Sequence, residues 1–205
     1  MKKIFLIFSL VFSISYSRSQ VQYTSEDLIQ NEDLQSYIIE TIRFSQLLQN
    51  NLSSEELGGL NNFFTEAQSN NYSYEEQLEL ITSKFKISDG NIFLTHIEKL
   101  RISLEKINER FGVPINELNQ DTLKYASSQI VSTQSNSIAC EHPWRFSLCY
   151  GGKVIEGGVL LSGCLAMAGA SAGVLTPASV ACVAGVTAWL ANEMQGCIKT
   201  WCNPT

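Results

Sequence analysis

GGVLLSGCLAMAGASAGVLTPASVACVAGVTAWLAN, residues 157–192, is a run of 36 residues without a single charge. It is built mostly from Gly, Ala, Val, Leu and Ser, and Gly173 and Pro177 punctuate its middle. A glycine tolerates the left-handed conformation that ends a helix, and a proline suits the first turn of the next. The run is therefore expected to be an apolar hairpin of two helices.

The cysteines fit that hairpin. All six of the chain lie in or beside it: Cys140, Cys149, Cys164, Cys182, Cys197 and Cys202. Cys164 and Cys182 are equidistant from Gly173, and so are Cys149 and Cys197. Antiparallel helices place such residues side by side, so nested disulfides Cys164–Cys182 and Cys149–Cys197 are expected, with Cys140–Cys202 following by elimination. Small residues at four-residue spacing, Gly158, Ser162, Ala166 and Ala170, allow the backbones to approach to the roughly 4.4–6.8 Å between Cα atoms that a disulfide needs. Six cysteines permit many connectivities. Local pairs Cys140–Cys149 and Cys197–Cys202 stay open as the rival pattern.

Working outward, the N-terminus reads MKKIFLIFSLVFSISYSRSQ: two lysines, an apolar stretch from Ile4 to Ile14, then Ser15, Ser17 and Ser19. This is the pattern of a Sec-type signal peptide over residues 1–19, cleaved after Ser17 or Ser19. Its apolar stretch is shorter than the roughly 20 residues of a membrane span. No cysteine follows the cleavage region, which argues against a lipoprotein anchor. A secreted or periplasmic location agrees with the even cysteine number, because disulfides persist in oxidising compartments.

Residues 20–139 carry 17 Asp or Glu against 8 Lys or Arg, a net charge of −9, whereas residues 140–205 carry three of each and are neutral. Composition thus divides the mature chain into an acidic domain over 20–126, a polar uncharged linker over 127–139 (SSQIVSTQSNS from Ser127 to Ser137) and the cysteine-rich hairpin over 140–205. The acidic part reads as a helical bundle. Phe93, Ile97, Leu100, Leu104, Ile107 and Phe111 alternate four and three residues apart, and Tyr74, Leu78, Ile81 and Phe85 do the same. Ser53 with Glu56 and Ser73 with Glu76 read as capping boxes, and Pro114 opens a further helix. An earlier helix over about 26–50 presents Leu34, Ile38 and Ile42. The fold class expected is all-α, a helical bundle followed by a disulfide-stapled Gly/Ala-rich hairpin. Without a fixed conformation, the linker is expected either as the place where proteolysis would release the C-terminal part or as an interdomain spacer that is never cleaved.

Catalytic chemistry finds little support. The two histidines, His96 and His142, belong to no dense set of nucleophile, base and orienting acid, and His96 is expected at the surface or boundary of its helix. Cys140-Glu141-His142 places a thiol near an imidazole, but an exported chain uses its cysteines most simply in disulfides. No metal-ligand set and no cofactor motif is found, and the acidity argues against a nucleic-acid partner. Gly58-Gly59 is expected to loosen a helix, and Gly151-Gly152 to turn the chain into the hairpin.

Each charge-free arm of the hairpin is about 15–18 residues, or roughly 22–27 Å, less than the roughly 30 Å of a bilayer core. The uncharged run is expected either as a disulfide-stapled core that packs on itself or on the upstream bundle, or as a hairpin that inserts partly into a target-cell membrane, which suits that length. Trp144, Tyr150, Trp189 and Trp201 are the candidate membrane contacts, as amphipathic rings favour the interface. The segment GCLAMAGASAGVLTPASVACVAG, with an export signal and an acidic domain upstream, resembles the halocin C8-type bacteriocins over about residues 140–202. Those peptides carry more cysteines than the six here, so no disulfide pattern is carried over. The resemblance implies a secreted antimicrobial peptide acting on a membrane or a membrane receptor, with the upstream domain as an inhibitory pro-region or immunity partner. The alternative is an exported, non-catalytic interaction or adhesion protein.

Overall fold

Asn31 decides how the folded chain starts. In the computed structural model, which describes residues 23–68, 70, 72–134, 140–166 and 175–202, its side chain accepts a hydrogen bond from the Leu34 amide at 2.7 Å. It thereby caps α2 (Glu32–Asn51) and separates it from a short α1 (Ser25–Ile29). The single helix expected over about 26–50 is therefore two. The signal peptide over 1–19, residues 135–139, and Ala170 and Gly173 at the hairpin break lie outside the described residues.

Helices α3 (Ser54–Ala67) and α4 (Tyr74–Phe85) both start at the reciprocal caps expected, Ser53 with Glu56 and Ser73 with Glu76. Gly58 and Gly59 sit inside α3 without breaking it. Lys86, at φ 52°, ends α4, and Gly112, at φ 67°, ends α5 (Gly90–Phe111). Pro114 leads into one 3-10 turn (Ile115–Glu117), and α6 (Gln120–Gln134) follows. The hairpin is α7 (Pro143–Ala166) and α8 (Pro177–Trp201), the latter capped by Thr176 with Pro177 in its first turn. No strand occurs among the described residues.

Two expectations are corrected here. Residues 127–134 are not linker but the C-terminal half of α6, with Ser127, Ser128, Ile130 and Val131 buried. The polar composition misleads because small serines are what fits there: α6 lies directly on α7 at Gly151. Gly151-Gly152 is likewise not a turn but lies within α7. Its first glycine supplies the space that brings the two helices together.

All six residues of the α5 stripe, Phe93 to Phe111, are buried, as are Ile81 and Phe85 of α4. Phe44, Phe64, Phe85 and Phe93 meet ring to ring at centroid distances of 5.4–6.2 Å. Burying each such ring contributes about 1.5–3 kcal/mol. The hairpin belongs to the same core. Helix α8 packs on α2, α3, α4 and α7, while α7 packs on α6, α8 and α2. Val180, Val183, Ala184, Ala188, Ala191 and Met194 of α8 are all buried. A helix apolar on every side is an inner helix, which accounts for the absence of charge along residues 177–192 of α8. The compositional boundary between acidic and neutral parts does not coincide with a gap in the core.

Candidate functional site

The hairpin is closed at three levels: Cys164–Cys182 toward its tip, Cys149–Cys197 lower down, and Cys140–Cys202 at its base. This is the nested pattern, and the local pairs are excluded. Cα separations of 5.5 Å for the first and 5.8 Å for the second are those of helices in close contact. Glycines enable that contact, though not those at the expected spacing. A Cβ on Gly157 would lie 2.7 Å from a Leu190 methyl of α8, so Gly157 is a point of close packing between the arms. Gly158 faces α2 instead, where a Cβ would lie 2.7 Å from the Tyr37 hydroxyl.

At the base, the His142 amide donates to the Trp201 carbonyl at 3.3 Å, which holds the start of α7 against the end of α8. The Arg145 guanidinium then lies 5.4 Å from the Trp144 ring and 5.3 Å from the Trp201 ring. A cation flanked by two aromatic faces is attracted to both. Trp144 is 63 % exposed, and Leu148, one turn further along the same face, is 42 % exposed. The base of the hairpin thus presents an aromatic, cationic and apolar patch to solvent.

Trp144 and Trp201 are the two predicted contacts that the structure brings together. Trp189 is half-buried in mid-helix beneath the Lys153 ammonium, 5.7 Å from its ring. Lys153 in turn bridges Glu156 and Glu193, at 3.0 Å from each. Tyr150 is a correction: it is buried, packed on Phe146 with centroids 5.0 Å apart, and contacts the inside of the protein. One turn of α7 separates it from Phe146, so the ring that looked interfacial by composition turns to the core face. Arg145 was not singled out by sequence; its position beside Trp144, with Trp201 brought back by the disulfide, was the available signal.

His96 is a second correction. It is buried and stacked on Phe44, with ring centroids 4.0 Å apart and planes 8° from parallel. Its Nδ1 lies 3.4 Å from a Glu40 carboxylate oxygen, and Lys99 reaches the other oxygen at 3.2 Å. Burial pushes the imidazole pKa down despite the carboxylate beside it, whereas the hydrogen bond with His96 is the chief cause holding Glu40 below its ordinary value. At neutral pH the ring is therefore neutral and donates from Nδ1 to Glu40. It serves as a core residue tying α5 to α2. Among the described residues, no group of three or more His, Cys, Asp or Glu is arranged to hold a metal ion.

By length and composition α7 is apolar enough to cross a membrane, a test that inner helices of soluble proteins also pass, and half of its apolar window is buried. At 24 residues it measures about 36 Å. It exceeds the estimate from the charge-free run because the helix continues through Lys153, Glu156 and Arg145. Comparison with protein families, with curated proteins and with solved structures finds no match to this chain.

Proposed function

We propose that the chain is the precursor of a secreted, bacteriocin-like antimicrobial protein, exported by a Sec-type signal peptide over residues 1–19. Its cysteine-rich hairpin acts on target-cell membranes, or on a receptor in them, after leaving the acidic helices. The observation that carries this reading is a disulfide-closed hairpin of no net charge, with a charge-free stretch over 157–192, packed against helices of net negative charge. Exposed, such a hairpin would present far more contiguous apolar surface than a soluble monomer normally does. The acidic helices α1–α6 then act as a pro-region, and their charge keeps the covered form away from anionic lipid. Three disulfides are compatible with an oxidising environment outside the cytoplasm. Trp144, Arg145 and Trp201 would seat the base of the hairpin among lipid headgroups. The similarity to halocin C8-type bacteriocins points the same way.

The test compares the oxidised peptide 140–205 with the full chain on dye-loaded vesicles of phosphatidylcholine and phosphatidylglycerol. Leakage from the peptide at concentrations where the full chain is silent supports the proposal; no leakage from either overturns it.

The second reading is an exported, non-catalytic interaction or adhesion protein, and the continuous core favours it. The full chain would then be the active form, and the patch around Trp144 and Leu148 its contact surface. Binding retained by the uncleaved chain, without leakage, is its signature. Neither reading requires a cofactor, a catalytic residue or a nucleic acid.

A further inference from the structure

We propose that Tyr37 is a latch, an autoinhibitory contact that holds α7 in the covered state by filling the notch left by Gly158. The inference deepens the precursor reading and rests on it for its biological meaning.

Tyr37 lies on α2 and is fully buried. Its hydroxyl donates to the Val154 carbonyl at 3.1 Å, across 117 residues of sequence. Within α7 that carbonyl also faces the Gly158 amide four residues on, so it accepts on both lone pairs. Gly158 is the position that admits the ring: any Cβ there would sit 2.7 Å from the hydroxyl and 3.1 Å from the adjacent ring carbon. Knob and notch are thus matched in shape and in polarity.

Other polar ties between covering helices and hairpin lie nearer the surface. The Gln49 amide donates to the Ala191 carbonyl at 2.8 Å, Ser54 donates to Gln195 at 2.6 Å, and Lys124 faces Glu156 at 3.6 Å. On the α6 side the interface is imperfectly satisfied. Among the described residues the buried hydroxyls of Ser127 and Tyr150 find no hydrogen-bond partner, and such groups weaken the contact that buries them. Among the described residues the Tyr37 hydroxyl thus supplies a fully buried polar tie between α2 and α7, and its loss should ease the local opening of α7 from α2.

Hydrogen exchange and vesicle leakage on the full chain test the latch separately from the membrane reading. Tyr37→Phe keeps the ring and loses only the hydroxyl, and should accelerate amide exchange across residues 150–162 about 3- to 10-fold. Tyr37→Ala should accelerate it further, and Gly158→Ala should act likewise with Tyr37 intact. Amides of α5 around Ile97–Ile107 should not change in Tyr37→Phe, which shows that the opening is local. Unchanged exchange over 150–162 in both Tyr37 variants overturns the latch, as does an equal acceleration in α5. Should Tyr37→Ala fail to fold, Tyr37→Phe decides alone. Faster local exchange supports the latch whether or not the full-chain variant leaks dye; the membrane reading is overturned separately, by silence of the oxidised 140–205 peptide.

Discussion

Gly151 and Ser128 bring α7 and α6 into backbone contact: a Cβ on Gly151 would lie 2.7 Å from the Ser128 nitrogen and 2.9 Å from its Cα. A backbone cannot step aside as a flexible side chain can. Gly151→Ala is therefore expected to destabilise the protein by about 1–3 kcal/mol, the range for overpacking a tight site. The neighbouring Gly152 has nothing within 4 Å of its Cβ position, so Gly152→Ala should stabilise by about 0.5–1 kcal/mol through helix propensity alone. Urea unfolding of the two variants checks this, and equal effects would contradict the contact.

The disulfides rank by the loops they close. Cys164–Cys182 spans 18 residues and Cys149–Cys197 spans 48. Chain-entropy arguments assign about 3 kcal/mol to the first and about 4 kcal/mol to the second. Paired Cys→Ser variants should lose stability in that order. Thiol labelling of the unreduced, unfolded chain should modify none of the six cysteines; labelling at any one breaks the nested scheme.

Sequence made some features plain and hid others for physical reasons. The caps at Ser53 and Ser73 were legible because a local pair of side chains satisfies local amides. The α5 stripe was legible because one face of that helix meets the core and the other meets water. The C-terminal half of α6 was not, since Ser127 and Ser128 are buried against a glycine of another helix, which no periodicity in α6 can announce. The small-residue spacing marks Gly158 for close packing but cannot announce its partner, Tyr37, which lies 121 positions earlier in the numbering. Similarly, the charge contrast between the two parts suggested separate domains. The two parts nevertheless share one core, because α7 and α8 pack on α2, α3, α4 and α6.

Acid should loosen the α2–α5 contact at His96. A histidine whose folded pKa is depressed is neutral in the native state while the unfolded chain takes up a proton, so stability falls as pH drops below the unfolded value near 6.5. Glu40, also depressed, adds a loss at lower pH, through and below the ordinary carboxylate range. His96→Phe keeps the stack on Phe44 and removes the titration. Its urea midpoint should therefore fall less than that of the wild type between about pH 7 and about pH 5, a range that spans the free imidazole value. Parallel curves for the two proteins would contradict the assignment.

Trp144 separates membrane action from folding. It is 63 % exposed and lies against Arg145, so Trp144→Ala should leave the stability of the full chain within about 0.5 kcal/mol of the wild type. In the oxidised 140–205 peptide the same change removes an aromatic ring from the surface proposed to meet lipid. Losing even half of the transfer free energy of such a side chain corresponds to about a tenfold loss in leakage potency. Trp201→Ala should act in the same direction, because Arg145 lies against both rings. Trp189→Ala should matter less to leakage and more to folding, as that ring is half-buried under Lys153. If Trp144→Ala leaks dye as well as the unaltered peptide, or if Trp189 proves the more sensitive position for leakage, then the base of the hairpin is not the membrane contact.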